Sequence, residues 1–132
     1  GDSRFNGRLF LVAEDNAINS EILCELLLMY GAKSVLKKDG LQTVRAFQEA
    51  EPGTFDAILM DIQMPEMDGY QATREIRKLD RPDAKTIPIV AMTANAFSED
   101  IQQSKEVGMD AHVAKPIDID VLCSTLEKVL HG

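Results

Sequence analysis

Ala57-Ile58-Leu59-Met60-Asp61 is a short apolar run closed by a carboxylate. A run this short, apolar on both of its faces, reads as a central strand of a parallel sheet that is covered on each side. Leu9-Phe10-Leu11-Val12-Ala13 is a second such run and ends at Glu14-Asp15. Ile87-Pro88-Ile89-Val90-Ala91-Met92 is a third, ending at Thr93, and Ala111-His112-Val113-Ala114 a fourth, ending at Lys115-Pro116. Laid side by side and parallel, these strands collect Glu14, Asp15, Asp61, Thr93 and Lys115 on one rim. That is a phosphoryl-transfer site in outline.

The segments between the runs supply the helices. A strand near Arg8 to Ala13 precedes a helix from about Asn16 to Tyr30, with a stripe of Ile18, Ile22, Leu26 and Met29 flanked by Leu23 and Leu27, and Gly31 as a left-handed stop. A lysine-bearing edge strand follows at Ser34 to Lys37, then a helix from about Leu41 to Ala50 burying Leu41, Val44 and Phe47. Phe55 to Met60 is the central strand, and Gln63 to Gly69 is a loop marked by Met64-Pro65 and Asp68-Gly69. Tyr70 to Lys78 reads as the third helix and Ile87 to Met92 as the fourth strand. Ser98 to Val107 reads as a fourth helix capped by Ser98, with Phe97, Ile101 and Val107 as its few anchors, and is expected to be the most mobile. Asp118 to Leu130 is the last helix, with the stripe Ile119, Leu122, Leu126 and Val129. Five βα units predict an α/β, doubly wound parallel sheet with helices on both faces, and right-handed crossovers place the site beyond the carboxyl ends of the strands.

Composition narrows the function. The 132 residues suffice for one domain, read as residues 8–132 behind a disordered leader or expression remnant at 1–7. A net charge of -8 repels nucleic acid and anionic lipid, so neither is an expected partner. No apolar stretch approaches the roughly 20 residues needed to cross a bilayer, and Gly1-Asp2-Ser3-Arg4 lacks a signal-peptide layout. Cys24 and Cys123, far apart and inside apolar helical patterns, read as buried thiols of a reducing compartment. The expected location is the cytoplasm, with any parent chain free to be anchored in the inner membrane.

The rim's three carboxylates and one lysine sum to a local charge of about -2, and close like charges raise one another's pKa unless a cation compensates. With no Cys or His at these strand ends the donors are all oxygen, which suits magnesium or manganese better than zinc. Asp15 and Asp61 are assigned as ligands and Glu14 as a ligand through water. Asp61 is then the candidate nucleophile, forming an acyl phosphate, while Lys115 and Thr93 bond the phosphoryl oxygens.

Glu14-Asp15-Asn16, the run Met60-Asp61-Ile62-Gln63-Met64-Pro65-Glu66-Met67-Asp68-Gly69, Met92-Thr93-Ala94-Asn95-Ala96 and Ala114-Lys115-Pro116-Ile117-Asp118 together make the chain resemble the receiver domain of two-component signalling proteins along essentially its whole length. The resemblance implies a flavodoxin-like fold with strand order 2-1-3-4-5. It implies phosphorylation of Asp61 by a histidine kinase or histidine phosphotransfer protein, Mg²⁺ held by Asp15, Asp61 and the Gln63 backbone carbonyl, and a cis bond before Pro116. Thr93-Ala94-Asn95-Ala96 and Lys115-Pro116-Ile117-Asp118 look most like receivers fused to hybrid sensor histidine kinases, the alternative being a stand-alone response regulator. Where many receivers carry Tyr or Phe as partner of the switch threonine, here Thr93, this chain has His112. That casts an aromatic-rotamer switch into question and points to the loop after Thr93.

Blander readings exist for each residue taken singly. An aspartate after a strand is often a helix cap, Thr93 alone a packing residue and Lys115 alone a solvated charge; their joint placement gives them meaning. His112 reads as a partly buried structural histidine rather than a base, and His131 as a frayed tail. A phosphatase with an aspartate nucleophile needs a second aspartate two residues on, where this chain has Gln63. A flavin or nucleotide binder needs free N–H groups after the first strand, where Glu14-Asp15 repels phosphate.

Overall fold

The computed structural model describes residues 4–94 and 98–131. Strands and helices alternate strictly: β1 Leu9–Ala13, α1 Ala17–Met29, β2 Lys33–Lys37, α2 Gly40–Glu49, β3 Ala57–Asp61, α3 Gly69–Lys78, β4 Ile89–Thr93, α4 Ser98–Val107, β5 Ala111–Ala114 and α5 Ile119–His131. The strands form one parallel sheet in the order β2-β1-β3-β4-β5, as the resemblance implied. Asn95 and Ala96 of the third motif, the anchor Phe97 and Gly132 lie outside the described residues, as does the side chain of the Ser98 cap.

Alternation along the strands builds two cores. Leu11, Ala13, Ile58, Met60, Ile89 and Ala91 face one side of the sheet and pack with Phe47 of α2, Ile76 of α3 and Val107 of α4. Phe10, Val12, Leu59, Val90 and Met92 face the other and pack with Leu23 and Leu27 of α1 and Leu122 and Leu126 of α5. Every residue of β3 and β4 is buried, as expected of central strands. The register pairs Ala13 with Met60, Asp61 with Met92 and Thr93 with Ala114, so the strands end level and their next residues share one rim.

Helix starts follow the capping rule. Asn16, Asp39 and Asp68 each accept a backbone N–H from three residues on, at 3.0, 2.8 and 2.8 Å. Gly31, at φ 91°, ends α1 as predicted.

Four expectations are corrected. The buried face of α1 is Ser20, Leu23 and Leu27, whereas Ile18, Ile22 and Met29 of the predicted stripe are exposed. α1 is apolar nearly all round, so two faces offered a stripe, and the one bearing Leu23 and Leu27 is the one that joins Phe10 and Val12 of β1 and Leu122 and Leu126 of α5 in the core. Leu41 is exposed, whereas Thr43 of the same helix is fully buried and its hydroxyl donates to the Asp39 carbonyl at 2.8 Å. Residues 4–7 are not a disordered leader: Phe5 is 2% exposed, stacks edge-on to Phe10 at 5.9 Å and donates its N–H to the Tyr30 carbonyl. Cys24 and Cys123 are not joined in a disulfide, and only Cys123 is buried; Cys24 is half-buried.

Candidate functional site

Glu14 and Asp15 leave the end of β1, Asp61 ends β3, Thr93 ends β4 and Lys115 follows β5, so the level strand ends bring all five predicted residues together. One carboxylate oxygen from each of Glu14, Asp15 and Asp61 lies within 4.8 Å of the others. Glu14 and Asp61 are each 3% exposed, while Asp15 is open to solvent.

The Lys115 Nζ bridges the two buried acids, 2.7 Å from Asp61 Oδ2 and 2.8 Å from Glu14 Oε1. The other oxygen of each acid is held by backbone: the Gln63 N–H donates to Asp61 Oδ1 at 3.2 Å, and the Asn16 N–H to Glu14 Oε2 at 3.1 Å. The Lys115 N–H donates to the Thr93 carbonyl at 2.8 Å, locking the β4 and β5 ends together, and the Lys115–Pro116 bond is cis.

These contacts set unequal charge states. Burial raises the Asp61 pKa; Lys115 opposes the shift and Glu14 adds to it, leaving the pKa at about 6. Glu14 is also pushed up by burial, but the bonds from Lys115 and the Asn16 N–H outweigh that and hold it below the ordinary range. Burial alone would lower the Lys115 pKa, yet its bonds to Asp61 and Glu14 raise it, so it stays charged. The result is a buried carboxylate with a fixed cation beside it and excess negative charge facing an open groove of about 600 Å³ walled by Asp15, Gln63, Met64, Asp68 and Thr93.

Tyr70 also lines that groove, and sequence reading did not single it out. Its place at the start of α3, directly after the Asp68 cap and Gly69, is the signal that would have found it. His112 departs from its expected setting. It is exposed rather than partly buried, pairs in register with Ala91, two residues before Thr93 on the same face of the sheet, and borders a surface hollow with Ile101 and Lys105 of α4.

The profile of the response regulator receiver domain matches residues 10–127. The chain belongs to that family. Among curated relatives of this receiver, the peroxide stress-activated histidine kinase mak1 of Schizosaccharomyces pombe is 40% identical over 127 residues, 96% of the chain but 8% of the kinase. The sensor histidine kinase RcsC of Salmonella typhimurium is 36% identical over 89% of the chain and 12% of its own length. The receiver therefore spans about a tenth of the length of the curated relatives it matches. Among solved structures, the receiver domain of a sensor histidine kinase from Pseudomonas aeruginosa superposes with a TM-score of 0.85 at 36% identity, covering 96% of this chain and 99% of that one; it was solved with a magnesium ion coordinated in its active site cleft.

Proposed function

We propose that this receiver accepts a phosphoryl group on Asp61 from a phosphohistidine, with Mg²⁺ held by Asp15, Asp61 and the Gln63 carbonyl and, through water, by Glu14. What carries the reading is the buried Asp61 with the Lys115 ammonium 2.7 Å away and two further carboxylates within 4.8 Å. The donor set fits a hard divalent ion, since it is all oxygen and has more negative charge than Lys115 neutralises. When bound, Mg²⁺ supplies charge neutralisation on the transferring group.

An Asp61 carboxylate oxygen attacks phosphorus, the P–N bond to the donor imidazole breaks, and the electron pair leaves with the nitrogen. Lys115 is placed to release part of its bond to Asp61 and follow the incoming phosphoryl oxygens, while the Thr93 hydroxyl donates to another of them. Each such bond exists only in the phosphorylated state, so together they bias the loop after Thr93. Slow hydrolysis of the acyl phosphate, or its relay to another histidine, returns the domain to rest.

The donor is a histidine kinase or histidine phosphotransfer domain, and the parent a hybrid sensor histidine kinase working at the cytoplasmic side of a membrane. Its docking surface is α1. Ile18 is 70% and Ile22 51% exposed, and Ile22 continues into a cleft with Leu26, Pro116, Ile117 and Lys115, beside the acceptor itself.

Incubation with acetyl phosphate and Mg²⁺ is expected to add one phosphoryl mass to the chain and none to Asp61→Asn; an equal adduct on both proteins rejects the assignment. Ile22→Glu is expected to slow transfer from a phosphohistidine donor about tenfold while leaving acetyl phosphate labelling unchanged, as the loss of one buried interface anchor does. A loss in both assays would place Ile22 in the fold rather than the interface.

A further inference from the structure

The loop between β3 and α3, residues 62–68, carries Gln63 past Asp61 and is held in an unfavourable shape. Glu66 sits at φ 67°, and the Met67 N–H closes on the Pro65 carbonyl across it at 2.7 Å, a tight turn that non-glycine residues seldom adopt. Such a shape persists only where neighbours over-determine it. Two glycines do so here. The Gly69 N–H donates to the Ile62 carbonyl at 2.8 Å, and a Cβ on Gly69 would overlap the Asp61 carbonyl. The Gly40 N–H, in the first turn of α2, donates to the Met67 carbonyl at 3.0 Å, and a Cβ on Gly40 would overlap that same oxygen.

Gly40 lies outside the left-handed region, so its backbone angles do not call for glycine. Glycine in a helix carries an entropic penalty relative to alanine. Its bare Cα at this point therefore serves the close approach of the loop.

We propose that Gly40 is a positioning residue for the metal and phosphoryl site, seating Met67 against α2 so that the strained loop presents Gln63 to Asp61. This rests on the reading of the Asp61 rim given above. A methyl at position 40 pushes the Met67 carbonyl outward, lets Glu66 relax, and draws Gln63, whose N–H holds Asp61 Oδ1 at 3.2 Å, away from Asp61.

The test is a Mg²⁺ titration of the whole chain followed by backbone amide NMR. Binding by the unsubstituted protein tests the site itself; its absence would overturn the earlier reading, not this one. Given binding, Gly40→Ala is expected to weaken Mg²⁺ about three- to tenfold, at the lower edge of what loss of an outer-shell partner does. Acetyl phosphate labelling should then return to the unsubstituted rate at saturating Mg²⁺. Gly53→Ala is the control, because Gly53 sits at φ 87° with open space around it and its substitution strains the backbone far from the loop. It should lower the thermal midpoint and leave Mg²⁺ affinity intact. Should Gly40→Ala leave the affinity unchanged while losing stability as Gly53→Ala does, the proposal is overturned. Should Gly40→Ala not fold, Asp39→Ala removes the cap on the Gln42 N–H and loosens the same turn; about twofold weaker Mg²⁺ binding supports the proposal and unchanged binding refutes it.

Discussion

Asp61 is held in a condition that disfavours its own charge. Buried and flanked by Glu14, it keeps its proton to about pH 6, whereas the unfolded chain releases it near the ordinary 3.8. Between those values the folded state holds a proton that the unfolded state has lost, so this residue's contribution to stability falls as pH rises from about 4 to 6 and stays low above. Glu14, with its pKa lowered, works in the opposite sense, and its contribution is lost as pH falls through the acid range. In metal-free protein at pH 7, Asp61→Asn is therefore expected to stabilise the fold by on the order of 2–3 kcal/mol, with the gain vanishing toward pH 4. Urea denaturation in EDTA at the two pH values checks this; a destabilised variant at pH 7 would refute it. The site residues were legible in sequence because each ends an apolar run, a local signal. The Lys115 bridge to both acids was not, since it depends on how the β5 end turns relative to β1 and β3.

At the scale of an element, α1 shows where sequence reading stops. Its existence, its Asn16 cap and its Gly31 stop were all readable, because capping and left-handed backbone depend on neighbours in the chain. Its buried face was not. Ile18 and Leu27 are equally apolar, and only the shape of β1 and α5 beneath decides which is covered. Leu27→Ala is expected to cost about 2–5 kcal/mol by removing atoms from a filled core, and Ile18→Ala to stay within about 0.5 kcal/mol. Equal losses in chemical denaturation would return the core to the face first read from the sequence. The strands were easier: wholly apolar β3 and β4 have no face to choose, and the lysines of β2 announced an edge.

For the molecule as a whole, three carboxylates gathered on one rim leave the metal-free fold under electrostatic strain that a bound cation relieves. Mg²⁺ at about a hundred times its dissociation constant should add about 2.7 kcal/mol to stability and raise the thermal midpoint by on the order of 10 °C. The shift should shrink sharply in Asp15→Asn; an equal shift there would place the ion elsewhere. The seating of Phe5 beneath Tyr30, with Arg4 paired to Glu127 near the end of α5 at 2.9 Å, puts both ends of the described chain at the pole opposite the rim. Any neighbouring sequence tethered there would act as a leash from behind: the domain could pivot and offer its reactive mouth to successive visitors without the leash crossing the doorway.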